Sequence, residues 1–327
     1  MSGVAPAADV LAAGGPRLAG LLERVEGRLA EAAGGYGDDL AGHVAKTLAA
    51  GGKRLRPTLV FIAAGEASSA ELVEAGVAVE LLHMATLVHD DVLDAAALRR
   101  GKPTVFAAGG RAAATATGDL LFSRAFAVLA ATGSAEAVRC LSDASTALAR
   151  GELMQREDAW SETVTTERYL ERCRLKTARL FEAACRLGAL LGEPGPTAAP
   201  GLGGFGARIG VAFQILDDVL DVSGPTERTG KPRGTDLLDG TVTLPLILAR
   251  ERDPDLRELD LRSAAAGPEE VVALCDRIAA TGALDDARAT ALDHVADGKR
   301  ELDRVDLAPE QRSLLDLAAD RAVERYA

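Results

Sequence analysis

The five residues Asp-Asp-Val-Leu-Asp occur twice in this chain, at 90–94 and again at 217–221. Residues four apart lie on one face of a helix, so the outer two aspartates of each copy point the same way. Two carboxylates about 5 Å apart repel each other by roughly 3 kcal/mol at an effective dielectric constant near 20. Each copy follows an apolar run, LLHMATLVH or VAFQIL, of the kind found in buried helices. We therefore expect both acidic groups, named here the first and second pentads, at the rim of a core and neutralised by cations.

Mg²⁺ is the cation that best suits these pentads, because it binds through a few carboxylates, keeps waters and accepts phosphate oxygens. A single pentad could equally be an acidic helix end that faces solvent. Two identical copies, each after an apolar helical run, favour a metal site.

Basic residues that suit diphosphate lie near the first pentad and upstream of it. The segment GGKRLRP at 51–57 places Lys53 and Arg56 three apart at a predicted helix start. There, cations, backbone N–H groups and the helix dipole all favour an anion. Arg99 and Arg100 follow the first pentad, and guanidinium groups bind phosphate oxygens bidentately.

Two uncharged polar residues share helix faces with the pentads. His83 lies seven residues before Asp90, two helical turns back, and Gln214 lies three before Asp217. Taken alone, each has an ordinary structural explanation. Together with the cations they predict a cavity with two acidic walls and separate basic clusters, which is what two diphosphates bridged by magnesium require.

The elements that position these groups are predicted to be helices. From about residue 16 the apolar spacing is mostly i, i+3, i+4, i+7, and no convincing period-2 stretch occurs, so the fold class is all-α. The breaks are short and rich in Gly and Pro, which predicts one domain over 1–327. Residues 1–15 are rich in Ala, Gly and Pro, and we expect them to be disordered or loosely attached.

Composition excludes several classes of protein. The net charge of −12 leaves no broad basic face for nucleic acid. The four cysteines have no metal-like spacing, and the N-terminus lacks the features of a signal peptide. No uncharged apolar run approaches the ~20 residues that span a bilayer. A cytoplasmic protein without a transmembrane segment is expected.

The motifs HDDVLDAAALRRGKPT, FQILDDVLD, GGKRLRP, Lys176-Thr177 and GKPRGTD closely resemble those of the trans-polyprenyl diphosphate synthase family, over roughly residues 45–250. The resemblance implies a homodimer of the isoprenoid synthase fold, with helices around a central apolar cavity. It also implies the activity, which is condensation of isopentenyl diphosphate with an allylic diphosphate to an all-trans polyprenyl diphosphate.

The resemblance further implies roles for individual residues. Three Mg²⁺ ions would be held by Asp90, Asp94 and Asp217, with supporting carboxylates at Asp91, Asp218 and Asp221. Isopentenyl diphosphate would be bound by Lys53, Arg56, His83 and Arg100. The allylic substrate would be contacted by Arg99, Lys176, Thr177, Gln214 and Lys231, and Arg99 and Lys176 would also act in catalysis.

One position departs from the family pattern. After GTDLLDG the family usually has lysine, and this chain has Thr241. We expect either weaker binding of the allylic diphosphate or a compensating arginine, with activity retained because both pentads are intact.

Product length is predicted from the resemblance as well. In this family the residue five before the first aspartate acts as a floor, and here it is the small Ala85. Aliphatic and small residues below it would line an apolar tunnel, with Phe122 and Phe126 as a deeper floor. A product of about six to ten isoprene units (C30–C50) is expected, since each unit buries more hydrocarbon.

Three alternatives remain open at this stage. The first is a short-chain farnesyl or geranylgeranyl diphosphate synthase. The second is a terpene cyclase of the same fold, against which GGKRLRP argues. The third, from another class, is a non-catalytic partner subunit of a heteromeric synthase, although such subunits characteristically lose the aspartate motifs.

Overall fold

The computed structural model describes residues 5–32, 34, 38–49, 52–99, 101–224 and 232–324. The described chain is helical almost throughout, and the predicted all-α class is confirmed. Its helices are α1 Ala5–Ala32, α2 Asp38–Ala49, α3 Leu55–Ala63, α4 Ala70–Leu93, α5 Val105–Ala130, α6 Ala135–Asp158, α7 Thr166–Cys173, α8 Arg179–Leu191, α9 Gly195–Ser223, α10 Thr235–Leu238, α11 Leu244–Arg252, α12 Pro254–Arg257, α13 Leu261–Ala264, α14 Pro268–Ala280, α15 Ala283–Leu302 and α16 Pro309–Glu324.

Two short elements interrupt this helical pattern. A π-helical segment, Arg174–Ala178, connects α7 to α8. The strands β1 (Leu98–Arg99) and β2 (Lys102–Pro103) pair antiparallel directly after the first pentad. The small ribbon was not predicted, because two residues per strand are too few to show an alternating pattern.

The N-terminal segment differs from the sequence-based expectation. Residues 5–15 form the first part of α1, where the sequence led us to expect a disordered or loosely attached segment; residues 1–4 lie outside the described chain. Val10 is buried, and Arg321 of α16 contacts the Asp9 carboxylate at 3.0 Å. Alanine is the best helix former, and here the alanine-rich segment gains a packing partner as well.

α4 and α9 form the centre of the fold. α4 packs along α5, and α9 packs along α8 and α15. α4 starts at the cap Ser69, whose hydroxyl accepts from the Leu72 amide, and it is apolar on nearly every side. Within the described chain, α4 is the one helix long and apolar enough to cross a membrane, yet 72% of that stretch is buried. It is a core helix.

Two glycines bring the π-helical segment close to its neighbours. A Cβ on Gly151 of α6 would lie 2.5 Å from the backbone nitrogen of Lys176, and a Cβ on Gly210 of α9 would lie 2.6 Å from the Cα of Ala178. Any larger residue would force these helices apart. The segment is therefore held between α6 and α9. Short π-helical segments of this kind frequently occur at functional sites.

Candidate active site

Both pentads lie at the C-terminal ends of core helices, as predicted. α4 ends at Leu93 with Asp94 as its C-cap, and α9 continues only to Ser223. The negative end of a helix dipole opposes carboxylates at these positions. Neither helix carries a basic residue in its last turn. Any neutralising cation must come from other elements or from a bound ion.

Arginines from two other elements contact the first pentad. Arg99 of β1 reaches the buried Asp91, with Nε 2.8 Å and Nη2 2.7 Å from Oδ1. Arg156, near the end of α6, places Nη2 2.6 Å from Oδ1 of Asp94. Arg99, predicted to contact the allylic diphosphate, is thereby fixed at the rim of the first pentad.

Glu152 of α6 joins two cations near the first pentad. Its Oε1 accepts from Nε of Arg156 at 2.9 Å, and its Oε2 contacts Nζ of Lys176. Burial opposes ionisation of Glu152, but Lys176 and Arg156 outweigh it and lower the pKa of this carboxyl. The ionised Glu152 therefore holds a lysine and an arginine side by side.

The surroundings of Asp90, the first aspartate of the first pentad, oppose its ionisation. Burial raises its pKa to about 6, Glu152 and Asp94 add to the rise, and Lys176 and Arg99 oppose it. A carboxyl with a raised pKa gains from a nearby divalent cation, because the cation favours the ionised form. The donor set therefore suits a hard, oxygen-binding cation.

The second pentad has different partners. Asp218 is buried, and it accepts hydrogen bonds from Tyr169 Oη at 2.7 Å and from Gln214 Nε2 at 2.8 Å. The Thr177 hydroxyl donates to Oε1 of Gln214 at 2.6 Å. Gln214 and Thr177, both predicted to contact the allylic substrate, thus meet at the second pentad.

Acidic groups crowd the second pentad. Burial raises the pKa of Asp218, and the charges of Asp236 and Asp217 add to the rise, while the hydrogen bonds from Tyr169 and Gln214 oppose it. The Asp236 amide donates to Oδ2 of Asp221 at 3.2 Å. The segment after α9 therefore folds back against the second pentad.

A chain of polar contacts connects the two pentads. It starts at the first pentad, passes through α6 and the π-helical segment, and ends at the second pentad, where Tyr169 also contacts Asp218. Its members, in order, are Asp94, Arg156, Glu152, Lys176, Thr177, Gln214 and Asp218. Lys176 and Thr177 are neighbours in sequence, so the link is continuous. The π-helical segment, which carries Lys176, is thus connected to both pentads.

The residues predicted to bind isopentenyl diphosphate are only partly brought together. Lys53 is exposed just before α3, and Arg56 lies in the first turn of α3 with its guanidinium 4.7 Å from the ring centroid of Phe181. The Phe181 ring in turn lies 5.5 Å from that of Phe213, the neighbour of Gln214. Arg56 is therefore linked to the second pentad through two aromatic rings.

Three further residues were also predicted to bind the substrates. His83 is half-buried on α4, and its carbonyl accepts from the Thr86 hydroxyl at 2.7 Å. Arg100 and Lys231 lie outside the described residues.

The residues expected to set product length are tightly packed. Ala85 has no accessible surface, and neither do Leu82, Leu81 and Ala78 below it on α4. Phe122 and Phe126 of α5 are half-buried, with ring centroids 5.2 Å apart. The packing of α4 against its neighbours thus leaves none of the surface of Ala85 accessible.

Sequence reasoning missed three residues that now belong to the site, namely Glu152, Arg156 and Tyr169, and it gave no role to Asp236, the last residue of GKPRGTD. Glu152 and Arg156 are an i, i+4 pair of opposite charge, a pattern most often found on ordinary helix surfaces. Among the described residues, no group of three or more His, Cys, Asp or Glu side chains could hold a metal ion by itself.

The polyprenyl synthetase family profile matches residues 38–276. The chain belongs to this family. It is 42% identical over 245 residues to heptaprenyl diphosphate synthase component 2 of Geobacillus stearothermophilus, which covers 73% of this chain and 75% of that protein. It is 37% identical over 276 residues to a geranylgeranyl diphosphate synthase of Methanosarcina mazei, covering 82% and 85%.

A solved structure supports the same family assignment. The polyprenyl synthase from Caulobacter crescentus, complexed with calcium and isoprenyl diphosphate, superposes with a TM-score of 0.87 at 32% identity and covers 98% of each chain. The chain therefore has the isoprenoid synthase fold and is a member of a prenyltransferase family of isoprenoid biosynthesis. The named relatives make products of different length, so membership leaves product length undecided.

Proposed function

We propose that this protein is a magnesium-dependent trans-prenyltransferase that condenses isopentenyl diphosphate with an allylic diphosphate to an all-trans polyprenyl diphosphate. The observation that carries this proposal is the pair of pentads at the ends of α4 and α9, linked through Glu152 and Lys176. The calcium and isoprenyl diphosphate bound by the Caulobacter crescentus relative support the same chemistry.

In the proposed reaction, the carbon–oxygen bond of the allylic diphosphate breaks and a carbon–carbon bond forms from the double bond of isopentenyl diphosphate. One proton then leaves the new product and is taken up by the released diphosphate. Asp90, Asp94 and Asp217 would hold Mg²⁺, three ions in the full complex, and bound magnesium would supply positive charge for the leaving diphosphate.

The protein's own residues have distinct tasks in this reaction. Lys176 and Arg99 lie beside the first pentad and stabilise negative charge as it develops on the leaving group. Lys53 and Arg56 hold isopentenyl diphosphate on the α3 side. The apolar packing of α4 and α9 keeps water from the reactive carbon.

We propose a homodimer that works in the cytoplasm, without nucleic acid and without a transmembrane segment. The Geobacillus stearothermophilus relative is named as one component of its enzyme, which raises the alternative of a heteromeric synthase. Intact pentads in this chain favour a catalytic subunit over a non-catalytic partner.

We propose a product of about six to ten isoprene units (C30–C50), because small Ala85 offers no bulky floor and each added unit buries more hydrocarbon. The closed packing around Ala85, together with the geranylgeranyl relative, favours a short-chain product as the alternative. In Ala85→Phe the product should fall to about three or four units, since a ring fills the space near the tunnel mouth. A wild type that already stops at that length would overturn this role of Ala85.

The test of the reaction is an incubation of purified protein with Mg²⁺, labelled isopentenyl diphosphate and allylic starters of increasing length. Longer diphosphates should form, and chelator should stop their formation. A matched incubation without isopentenyl diphosphate tests the cyclase alternative. Conversion of the starter alone to a cyclic hydrocarbon, or activity only after a second subunit is added, would contradict the proposal.

A further inference from the structure

Arg156 contacts an aspartate of the first pentad that is distant from it in sequence. It sits near the C-terminal end of α6, yet its guanidinium lies 2.6 Å from Asp94, 62 residues away. The same guanidinium contacts Glu152 through Nε at 2.9 Å. Its side chain is 40% exposed, and a guanidinium has five N–H donors. Arg156 can therefore contact a ligand while Glu152 holds its Nε.

The chain that follows the second pentad packs against this end of α6. The Trp160 amide donates to the Gly240 carbonyl at 2.8 Å. Arg172, buried and paired with Asp158 at 3.1 Å, donates to the Val242 carbonyl. Gly240 and Val242 flank Thr241, so the turn that contains Thr241 is fastened beside the end of α6 that carries Arg156.

Three observations bear on the positive charge available to this part of the site. The turn at Thr241 lacks the lysine that the family resemblance led us to expect there. The neighbouring helix end supplies an arginine that faces Asp94. Ionised Glu152 fixes that arginine next to Lys176, a second cation of the same site.

We propose that Arg156 is a further binding residue for the allylic diphosphate and that it replaces the positive charge missing at Thr241. This inference rests on the proposed function. A phosphate bound through a cation at Asp94 would lie close to the Asp94 carboxylate, and Arg156, which already contacts this carboxylate, would then be within reach of it. The planar guanidinium suits phosphate oxygens better than the compact ammonium of lysine.

The test compares Arg156→Gln with the wild type and with Arg139→Gln, which removes an exposed arginine at the other end of α6. In Arg156→Gln the KM for the allylic diphosphate should rise by about tenfold, the effect of losing one charge-assisted hydrogen bond. The KM for isopentenyl diphosphate should change little, and Arg139→Gln should change neither. The KM of Arg156→Lys for the allylic diphosphate should lie between those of the wild type and Arg156→Gln. Lysine keeps the positive charge but cannot bind phosphate oxygens bidentately, as a guanidinium does.

A binding measurement supplies a second readout that does not depend on turnover. Calorimetry with inorganic diphosphate and Mg²⁺ should give a Kd raised by a similar factor in Arg156→Gln. In the double variant Arg156→Gln/Thr241→Lys, the added lysine should recover most of the lost affinity.

The outcomes separate this inference from the proposed function. A wild type that elongates nothing contradicts the proposed function. An active wild type with an unchanged allylic KM and diphosphate Kd in Arg156→Gln overturns the inference alone. Equal weakening for both substrates, or no recovery on adding Thr241→Lys, also overturns it, because a general structural effect would then explain the loss.

Discussion

The two pentads have the same five residues and different surroundings. At the second position of the first pentad, Asp91 is paired with the Arg99 guanidinium. At the same position of the second pentad, Asp218 accepts from the uncharged Tyr169 and Gln214. The difference shows that the partners, which come from distant parts of the chain, determine the electrostatics of each acidic group.

This difference extends to the charged groups around each pentad. The first is compensated by Arg99 and Arg156, which contact it directly. The second is crowded by Asp236, whose charge adds to the raised pKa of Asp218. The second aspartates of the two pentads, Asp91 and Asp218, thus differ in the charge of the partners described here, and four predictions test the comparison.

The largest effect is expected for removal of one metal-binding carboxylate from either pentad. Asp90→Ala and Asp217→Ala should each lower kcat by about a thousandfold, because each removes charge that the proposed ions require. Steady-state assays at saturating Mg²⁺, with circular dichroism to confirm intact helices, measure this. Asp143→Ala, an exposed aspartate of α6, is the control and should stay near wild type. Near-normal turnover in either pentad variant would show that the metal site is wrongly assigned.

The second prediction compares the buried second aspartates. Asp91→Asn should lower the free energy of unfolding by about 2 kcal/mol, because it leaves the charge of Arg99 without its buried partner; the 27% exposure of Arg99 moderates the loss. At about pH 4, where the raised pKa of Asp218 has not yet lowered the stability of the wild type, Asp218→Asn should cost less, about 1 kcal/mol, since its partners are neutral and an amide oxygen still accepts one hydrogen bond. Urea unfolding in chelator measures the free energy of unfolding of both variants. Equal losses would contradict the proposed difference between the partners of Asp91 and Asp218.

The third prediction concerns pH in metal-free protein. The pKa of Asp218 is raised from its ordinary value of 3.8, so the folded state binds this proton more tightly than the unfolded state does. The contribution of Asp218 to stability must then fall as pH rises above about 4, towards the higher folded-state pKa. Asp218→Asn cannot titrate, so its stability relative to wild type should improve between about pH 4 and pH 7. A constant difference between the two proteins across that range would count against a raised pKa.

The sequence predicts the parts of this site that depend on local order. Helical spacing places both pentads at helix ends, and the start of α3 at Leu55 follows from the GGKRLRP segment. Spacing also pairs Gln214 with the second pentad. These features arise within a few turns of one helix, where periodicity is informative.

The partners that distinguish the pentads arise from packing between distant elements. Tyr169 and Asp218 are 49 residues apart, and Arg156 and Asp94 are 62 apart. Only the crossing of α6 over the π-helical segment, at Gly151, shows that Glu152 meets Lys176. No periodic pattern in a single sequence indicates such crossings.

The smallest effect is expected for Tyr169→Phe, which removes one hydroxyl and keeps the ring of a buried residue. The loss of one hydrogen bond to Asp218 should lower the free energy of unfolding by about 1 kcal/mol or less. The hydroxyl favours the ionised form of Asp218, so its removal should raise the pKa of this carboxyl further. In chelator, Tyr169→Phe should therefore continue to lose stability up to a higher pH than the wild type does, and added Mg²⁺ should reduce the difference. The double variant Tyr169→Phe/Asp218→Asn serves as the control: if its pH dependence stays as steep as that of Tyr169→Phe, the effect does not pass through Asp218.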